Sequence, residues 1–355
     1  MRPLLLVPGL GLLALVAWEV LIAVTSTGTG PLTRLWGNLL WRPFLAADRL
    51  WTTPRVLSWA GGVILGTTIG FWILLLWAGW SLVFLSGPTA VVHTTTGSPA
   101  DLWDRVYFAG FTLATLGVGD FRPEGAVWQV ATALASFMGL MIVSFGIAYT
   151  LPIIGAAAFK RSLGTLISTL GRTPQGILLE AWGADGRISA ALGQRLVEFA
   201  PLLAKLEEQH VTYPSLHFFT SRRHRKSTSI NVAVLDEALT ILEYALDPSA
   251  RPEDLDLRPP REALYEFLLT LHETRVPKVP VPPPPSLEPL RRRGLPVVDD
   301  ALFHERLEHL AQRRQLLAAL PAADGLGWDA LEQPDAGERA PHRPGGGAAS
   351  RRRRS

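Results

Sequence analysis

Three long apolar runs within the first 160 residues constrain the fold of this chain more than any other feature. They extend over Leu4–Val24, Trp59–Leu85 and Val127–Ile154, and the second and third contain no charged residue. A bilayer core about 30 Å thick is crossed by a helix of about 20 apolar residues. Because lipid offers the backbone no hydrogen-bond partners, each run is predicted to be a transmembrane helix.

The N-terminal run, within residues 1–26, also resembles a secretory signal because Arg2 precedes it. It is longer than the usual signal core of about 7–15 residues, and no small-x-small cleavage site follows cleanly. A retained N-terminal span is therefore favoured, although the sequence leaves open whether it crosses the membrane or lies in it. Its one acidic residue, Glu19, is expected near an end of the span, where a carboxylate reaches the lipid headgroups.

Lysine and arginine are distributed unevenly between the loops, and this predicts the orientation. Residues 27–57 and the segment after the third run carry basic residues, whereas Gly87–Ala100 carries none. The first two regions are therefore predicted to be cytoplasmic, and the Gly87–Ala100 loop and the N-terminus external. The basic residues concerned are Arg34, Arg42, Arg49, Arg55, Lys160 and Arg161.

The predicted cytoplasmic linker, residues 27–57, contains an amphipathic stretch. Within it, Leu35–Leu45 places Trp36 and Trp41 beside Arg42. This composition is typical of a helix that lies in the membrane interface. A plain linker is the alternative.

A segment too short to span lies between the second and third runs. Asp101–Arg122 reads DLWDRVYFAGFTLATLGVGDFR, with a helix-like aromatic first half and a glycine-rich second half. Irregular backbone at membrane depth is tolerated only when it is buried in protein or lines a water-filled path. The pattern predicts a re-entrant loop, with a pore helix over residues 101–114 and an extended stretch over 115–120.

The extended stretch reads TLGVGD and resembles the signature TVGYGD of potassium channels. The block Thr112–Asp120 aligns without a gap to the longer form of that signature, and Trp59–Ile154 resembles the pore domain of prokaryotic two-span potassium channels. The resemblance implies a pore domain over 58–159, with an outer helix over 58–86 and an inner helix over 125–154. It also implies a homotetramer, because four copies of the loop complete one ring of oxygens.

A selectivity filter replaces the hydration shell of an ion with rings of backbone carbonyls. Alternating backbone conformations align such carbonyls, and glycine adopts positive φ without a Cβ penalty, which explains Gly117 and Gly119. Leu116 and Val118 are expected to point their side chains outward into packing. Thr115 offers both a carbonyl and a hydroxyl at the inner end. The predicted filter is Thr115–Gly119, with K⁺ at Thr115, Leu116, Gly117 and Val118.

The residues around the filter have roles that the resemblance implies. Asp120 lies at the outer mouth, where a carboxylate attracts cations. Tyr107 and Phe108 stand where the family places an aromatic pair that braces the filter, and Thr112 supports it from the pore helix. Val118 replaces the tyrosine of the family, so the hydroxyl that ties the filter to its surroundings is absent.

Gly139 in the third run has two readings. In the resembling family, a glycine at this distance from the filter lets the inner helix bend when the pore opens. Glycine weakens a helix by roughly 1 kcal/mol, which suits a hinge. Close packing between helices is the alternative, because small residues are common at membrane helix interfaces.

An apolar stripe follows Gly139 at helical spacing, and the resemblance turns it toward the pore. Four copies of the stripe could gate by dewetting, with lipid contact or packing as the alternative. Pro152 is expected to end or kink the helix before the cytoplasm. The predicted gate consists of Leu140, Val143, Ile147 and Leu151.

The remainder of the chain is predicted to form a mainly helical cytoplasmic part. It divides into a domain over 160–276, a proline-rich linker over 277–297, a helical segment over 298–333 and a disordered tail over 334–355. No phosphate loop, calcium loop or dinucleotide-binding glycine motif is present in the sequence. The predicted helices are Ser162–Leu170, Ile188–Gln209, Ser229–Leu246, Glu262–Thr274 and Asp300–Leu320.

The sequence thus predicts an all-α membrane protein: a tetrameric helix–pore loop–helix channel domain with an extra N-terminal span and a helical cytoplasmic C-terminal domain. Its expected function is passive potassium conduction across the cell membrane. No enzymatic activity, catalytic residue or cofactor beyond permeant K⁺ is expected. A non-selective cation channel and a non-conducting membrane sensor with a partner-binding cytoplasmic domain are the alternatives.

The expected partners are three further copies of the chain and the lipid membrane. Basic clusters such as residues 222–226 suit an anionic lipid surface, and a merely solvated surface is the alternative. Nucleic acid is not an expected partner. The sequence does not identify a ligand of the cytoplasmic domain.

Overall fold

The computed structural model describes residues 2–25, 30–51, 56–221, 224–273, 277 and 279–332. Short 3₁₀ turns cover Pro214–Phe218, His224–Lys226, Glu308–Leu310 and Trp328–Leu331. The longer helices and the strands are α1 (Pro3–Thr25), α2 (Pro31–Trp51), α3 (Val56–Ser86), β1 (Val91–His93), α4 (Leu102–Leu113), β2 (Phe121–Pro123), α5 (Ala126–Ser168), α6 (Pro174–Ala181), α7 (Ala190–Thr212), α8 (Thr228–Tyr244), α9 (Asp254–Glu273), α10 (Glu288–Arg292), α11 (Asp300–Leu307) and α12 (Ala311–Ala323).

Among the residues that the structure describes, three helices are long and apolar enough to cross a membrane, as the sequence predicts. The apolar stretches are Pro3–Ala23 in α1, Trp59–Ser86 in α3 and Ala126–Ser168 in α5. Helix α1 packs closely along α3, since a Cβ on Gly9 would lie 3.0 Å from the carbonyl oxygen of Gly79. Glycine at such crossings lets helix backbones approach each other in lipid.

Glu19 is buried within the protein, so the expectation that its carboxylate extends to the lipid headgroups is wrong. Its side chain is buried in α1, where it accepts hydrogen bonds from the backbone N–H of Leu32 at 2.9 Å and of Thr33 at 3.1 Å. The first N–H groups of a helix have no intrahelical partner and favour negative charge. Glu19 therefore caps α2, and Trp72 of α3 joins the contact by donating to the Thr33 hydroxyl at 3.1 Å.

Helix α2 occupies most of the predicted linker and is longer than the expected stretch Leu35–Leu45. Trp41 is buried against α3, whereas Leu35 and Leu39 are exposed. The ring of Phe218, from the cytoplasmic part, comes within 3.0 Å of a Cβ placed on Gly37. The linker is thus a helix packed between the membrane helices and the cytoplasmic part.

Helix α5 continues through Pro152, so the predicted end of the inner helix at residue 154 is wrong. The predicted helix Ser162–Leu170 is the last part of the same 43-residue helix. Proline removes one backbone N–H from the helix. Tyr149 and Ile153 are buried on either side of the proline, and this packing stabilises the helix across it. The expected boundary at 159/160 therefore lies within a helix.

The predicted cytoplasmic part has one hydrophobic core, not the three separate units predicted. Leu235 of α8 and Leu264 of α9 share this core with Phe303 and Leu317 from the predicted C-terminal segment. The proline-rich stretch is also packed against it: Leu287 is buried, as are other leucines of this stretch. Sequence composition marks extended backbone there but does not reveal that the stretch crosses a core surface.

A buried charge network crosses this core. Asp236 of α8 is fully buried between Arg261, at 3.0 Å, and Arg313. The adjacent Glu237 pairs with Arg314 at 2.9 Å. Arg314 also donates to the carbonyls of residues 282 and 283 at 3.0 and 2.8 Å, which ties the proline-rich stretch to α8.

One small sheet departs from the all-α prediction. Strands β1 and β2 pair antiparallel in the loop region around the pore helix, with Val92 opposite Arg122. Val91 and Val92 are buried, which suits β-branched residues on a pleated surface. The stretch is only three residues long on each side, too short for a strand signal in the sequence.

Candidate functional site

Helix α4 occupies the place of the predicted pore helix. Its 12 residues are too few to cross a bilayer. A capping box fixes its start: the Asp101 carboxylate accepts from the Asp104 N–H at 2.8 Å, and Asp104 accepts from the Asp101 N–H at 3.0 Å. The sequence DLWD therefore sets where the helix begins and leaves its C-terminal end facing the filter stretch.

A buried arginine fastens α4 to the end of α3, and sequence reasoning missed it. Arg105 donates to the carbonyls of Ala100 at 2.9 Å, Gly87 at 2.7 Å and Pro88 at 2.6 Å. These carbonyls lie just after α3 and just before α4. A cation is favourable near a helix C-terminus, and here it joins the two elements. No sequence signal identified these partners, because they are backbone atoms.

The filter stretch alternates in backbone conformation. Thr115, Gly117 and Gly119 have φ of 55°, 61° and 88°, and the intervening Leu116 and Val118 do not have positive φ. The positive φ expected at the two glycines is present. That of Thr115 was not foreseen, because a β-branched residue rarely adopts it. Such alternation is what lets successive carbonyls point along one line.

The filter side chains lack cover within the described part of this chain. Leu116 is 67% exposed and Val118 is 45% exposed, although both were expected to pack outward. Thr115 is held by its N–H, which donates to the Thr112 carbonyl at 3.0 Å, and Leu116 by a 2.9 Å bond to the Phe111 carbonyl. The inner end of the stretch is thus anchored to α4, and the two apolar side chains of the stretch are exposed.

The predicted supporting aromatics form a cluster beside the filter. Phe108 is buried and meets Phe84 edge-on at 5.0 Å and Phe111 at 5.2 Å between ring centroids. Tyr107 contacts Phe111 at 5.2 Å and Phe121 at 6.2 Å. The cluster connects the outer helix, the pore helix and the strand that follows the filter.

The outer end of the filter contacts the external loop through Thr94, a residue that sequence reasoning did not single out. The Thr94 hydroxyl donates to the Gly119 carbonyl at 2.7 Å. Its backbone N–H donates to the Asp120 carbonyl at 3.0 Å. Asp120 itself is exposed, as expected at an outer mouth.

Gly139 is a packing contact between α5 and the pore helix. It is buried, and a Cβ at this position would collide with the backbone carbonyl of Leu113. Gly146 similarly faces Ile69 of α3, whose nearest atom would lie 3.3 Å from an added Cβ. Close packing therefore accounts for both glycines, and bending at Gly139 stays a prediction.

The predicted gate residues share one face of α5 that the other described residues leave exposed. The opposite face, which includes Ala135 and Ile142, is buried within the chain. The exposed fractions are 60% for Leu140, 51% for Val143, 57% for Ile147 and 64% for Leu151.

A small cavity lies where α5 enters the cytoplasmic part. It has a volume of about 30 Å³, and its polar lining includes Lys160, His210 and Asp324. His210 shares a 2.8 Å hydrogen bond with the Leu206 carbonyl. Burial lowers the pKa of His210 to about 3, with a smaller contribution from the charge of Lys160. Among the residues that the structure describes, no group of three or more His, Asp or Glu side chains is arranged to hold a metal ion.

Comparison with known proteins finds similarity to a family model and to a membrane protein. A family model described as an ion channel matches residues 67–154, from the middle of α3 through the filter to the middle of α5. The uncharacterized membrane protein YdjJ of Bacillus subtilis (strain 168) is 33% identical over 311 residues, which cover 87% of this chain and 89% of YdjJ. No solved structure matches the chain.

Proposed function

We propose that this chain, which belongs to the same family as the membrane protein YdjJ and contains an ion channel domain, is one subunit of a tetrameric potassium channel. The observation that carries the proposal is the alternating backbone of residues 115–119, placed directly after a half-length helix between two membrane helices. Rings of such carbonyls substitute for the hydration shell of a permeant cation.

The electrostatics of α4 support a cation path. The C-terminal end of a helix carries a partial negative charge of about half an electron. The C-terminal residue of α4, Leu113, lies against Gly139 in the middle of the inner helix. Four such helix ends would favour a dehydrated cation in the centre of an assembly. Permeant K⁺ is the only ion that the proposal requires, and it involves no catalytic step.

The uncovered surfaces support assembly with three further copies. Leu116 and Val118 are exposed in the single chain, and so is the gate face of α5 from Leu140 to Leu151. A closed four-fold arrangement would cover part of this apolar surface and leave the rest to line the pore. Leu140, Val143, Ile147 and Leu151 would then form an apolar constriction that gates by dewetting.

The charge distribution supports a cell-membrane location with the C-terminal part in the cytoplasm. Arg225 and Lys226 are exposed and lie beside the cytoplasmic part of α5, where they suit anionic lipid headgroups. Residues 222 and 223 of the same basic cluster lie outside the described residues. Nucleic acid binding is not part of the proposal.

A second candidate function is non-selective cation conduction, and Val118 favours it. The side chain has no hydroxyl to tie the filter to its surroundings, and it is 45% exposed within the chain. A filter that flexes more would discriminate less between K⁺ and Na⁺. The potassium-selective and the non-selective channel would use the same ion path and differ in the rigidity of the filter.

Ion flux through purified protein in liposomes tests the proposal, with Gly117→Ala as the variant. Gly117 has φ of 61° and open space around it within the single chain, so a Cβ there first disturbs the backbone conformation. An alanine costs about 1–2 kcal/mol in that conformation. Gly97→Ala is the matched control, because Gly97 has φ of 68° and equally open space but lies in the external loop.

We expect Gly117→Ala to abolish potassium uptake while the tetramer still forms, and Gly97→Ala to conduct like the wild type. Equal uptake by all three proteins would contradict a filter at residues 115–119. Loss of uptake in both variants alike would point to general destabilisation and would equally count against the filter.

A further inference from the structure

The external strand β1 is fixed firmly at its base. Val91 and Val92 are buried, and β1 pairs with β2, which directly follows the filter. The Val91 carbonyl accepts a 3.0 Å hydrogen bond from the N–H of Ala100. Ala100 directly precedes Asp101, the N-cap residue of the pore helix. The strand is therefore held between the segment before the pore helix and the segment after the filter.

His93, at the end of β1, connects the strand to the first turn of the pore helix. Its Nε2 lies 3.3 Å from a carboxylate oxygen of Asp104, the residue that completes the capping box of α4. Its ring also packs on Phe121 at 4.7 Å between centroids. The next residue, Thr94, thus extends from a strand whose position is set by both ends of the re-entrant segment.

Thr94 binds two consecutive carbonyls, the last one of the predicted filter and the one that follows it. Its backbone N–H donates a 3.0 Å hydrogen bond to the Asp120 carbonyl and continues the β1–β2 pairing by one residue. Its hydroxyl donates a 2.7 Å hydrogen bond to the Gly119 carbonyl. Glycine at φ of 88° has wide rotational freedom, so the direction of the Gly119 carbonyl depends on an external partner.

We propose that Thr94 is a positioning residue of the selectivity filter: its hydroxyl turns the Gly119 carbonyl toward the external loop and stiffens the outer end. The inference rests on the proposed channel function. The carbonyls of residues 115–118 are then left to coordinate the ion. In this way a threonine from the loop before the pore helix supplies the hydroxyl tie that Val118 lacks.

The test compares Thr94→Val with two further variants in planar bilayers that have potassium on one side and sodium on the other. Valine removes the hydroxyl, keeps the β-branched shape and leaves the backbone bond to Asp120 in place. Thr94→Ser restores a hydroxyl. Thr96→Val is the matched control, because the Thr96 hydroxyl pairs with Ser98 at 2.7 Å within the same turn and does not contact the filter.

Loss of one neutral hydrogen bond should raise the sodium-to-potassium permeability ratio about fivefold in Thr94→Val. We expect Thr94→Ser and Thr96→Val to keep the wild-type ratio. A role in folding alone would lower the amount of tetramer and leave the permeability ratio of the remaining channels unchanged. A tetrameric Thr94→Val that is silent while Thr94→Ser conducts would also support the tie.

Two results would overturn the inference while the wild type still conducts selectively. One is a wild-type permeability ratio in Thr94→Val. The other is loss of selectivity in Thr94→Ser or Thr96→Val to the same degree as in Thr94→Val. A wild-type tetramer that passes no cation under any condition would contradict the proposed function instead, so the two failures are distinguishable.

Discussion

The membrane half and the predicted cytoplasmic half of this chain bury charged groups in different ways. In the membrane half, Glu19 and Arg105 are buried singly and bind backbone groups at helix ends, to which the Thr33 hydroxyl adds at Glu19. In the predicted cytoplasmic half, Asp236 is buried between the side chains of Arg261 and Arg313. Charges thus fasten helix ends in one half and pair with each other in the other.

This difference in how charges are buried indicates which part of the chain each charged residue holds in place. A lone charge at a helix end compensates backbone groups that the helix leaves unpaired, and it needs only one side chain in the low-dielectric region. A buried ion pair joins distant parts of the chain, but loss of one partner leaves the other as an unpaired buried charge. Glu19 and Arg105 therefore place α2 and the pore helix, whereas Arg314 places the proline-rich stretch across the cytoplasmic core.

The largest effect is expected for Arg314→Met, which removes one partner of a buried pair. Glu237 would be left buried without its 2.9 Å contact, at a cost of about 3–5 kcal/mol. We expect the melting temperature of the cytoplasmic part to fall by roughly 10 °C in the full-length protein. Adding Glu237→Gln should recover part of the loss, since no unpaired charge remains.

Arg292→Met is the matched control for this variant. Arg292 pairs with Glu288 at 2.9 Å, but 75% of its side chain is exposed, so its removal should cost no more than about 0.5 kcal/mol. Equal losses in Arg314→Met and Arg292→Met would show that burial does not distinguish the two pairs. The proposed role of ion pairs in the cytoplasmic half would then be wrong.

A smaller but still large effect is expected for Arg105→Met in the membrane half. Three carbonyls would lose their donor, and we expect a loss of about 3 kcal/mol in the free energy of unfolding. The loss of stability can be measured by tryptophan fluorescence during thermal unfolding in detergent. Arg122→Met is the control, because Arg122 is 51% exposed in its pair with Glu124. Similar stabilities for the two variants would contradict the role assigned to Arg105.

The smallest effect is a pH dependence at the junction of the two halves. The pKa of His210 in the folded state is about 3, below the 6.5 expected in the unfolded chain. The unfolded chain therefore binds the proton first, and stability present above pH 6.5 is lost as the pH falls below that value. At pH 5.5 the loss is about 1.4 kcal/mol relative to pH 8.

His210→Gln removes one titrating group and should reduce the decrease in melting temperature between pH 8 and pH 5.5. Burial also lowers the pKa of His217 in the same cavity, so this histidine accounts for part of the remaining decrease. His309→Gln, at an exposed position, should keep the wild-type slope. A wild-type slope in His210→Gln would mean that other groups dominate the acid sensitivity. The buried His210 would then have no special effect at the junction.

Local sequence signals predicted the parts of the structure that depend on neighbouring residues. Hydropathy located the three apolar helices, and the glycine alternation agrees with the positive φ of Gly117 and Gly119. Each of these depends on residues within one or two helical turns. The roles of these residues in ion coordination stay predictions.

Contacts between distant parts of the chain were not predictable. Glu19 meets Thr33 across 14 positions, and Arg314 meets the carbonyl of residue 282 across 32 positions. Backbone acceptors leave no compositional mark, because every residue carries a carbonyl. The continuation of α5 through Pro152 likewise depends on packing by Tyr149 and Ile153, which local propensity does not register.

The reversal potential of the purified protein tests the central claim most directly. With potassium on one side of a planar bilayer and sodium on the other, the account predicts currents that reverse near the potassium equilibrium potential. Thr94 holds the carbonyl of Gly119, and α4 holds the N–H groups of Thr115 and Leu116. The carbonyls of residues 115–118 would then suffice for selectivity without a tyrosine at position 118. Clear currents that reverse near zero would contradict potassium selectivity and identify a non-selective cation pore.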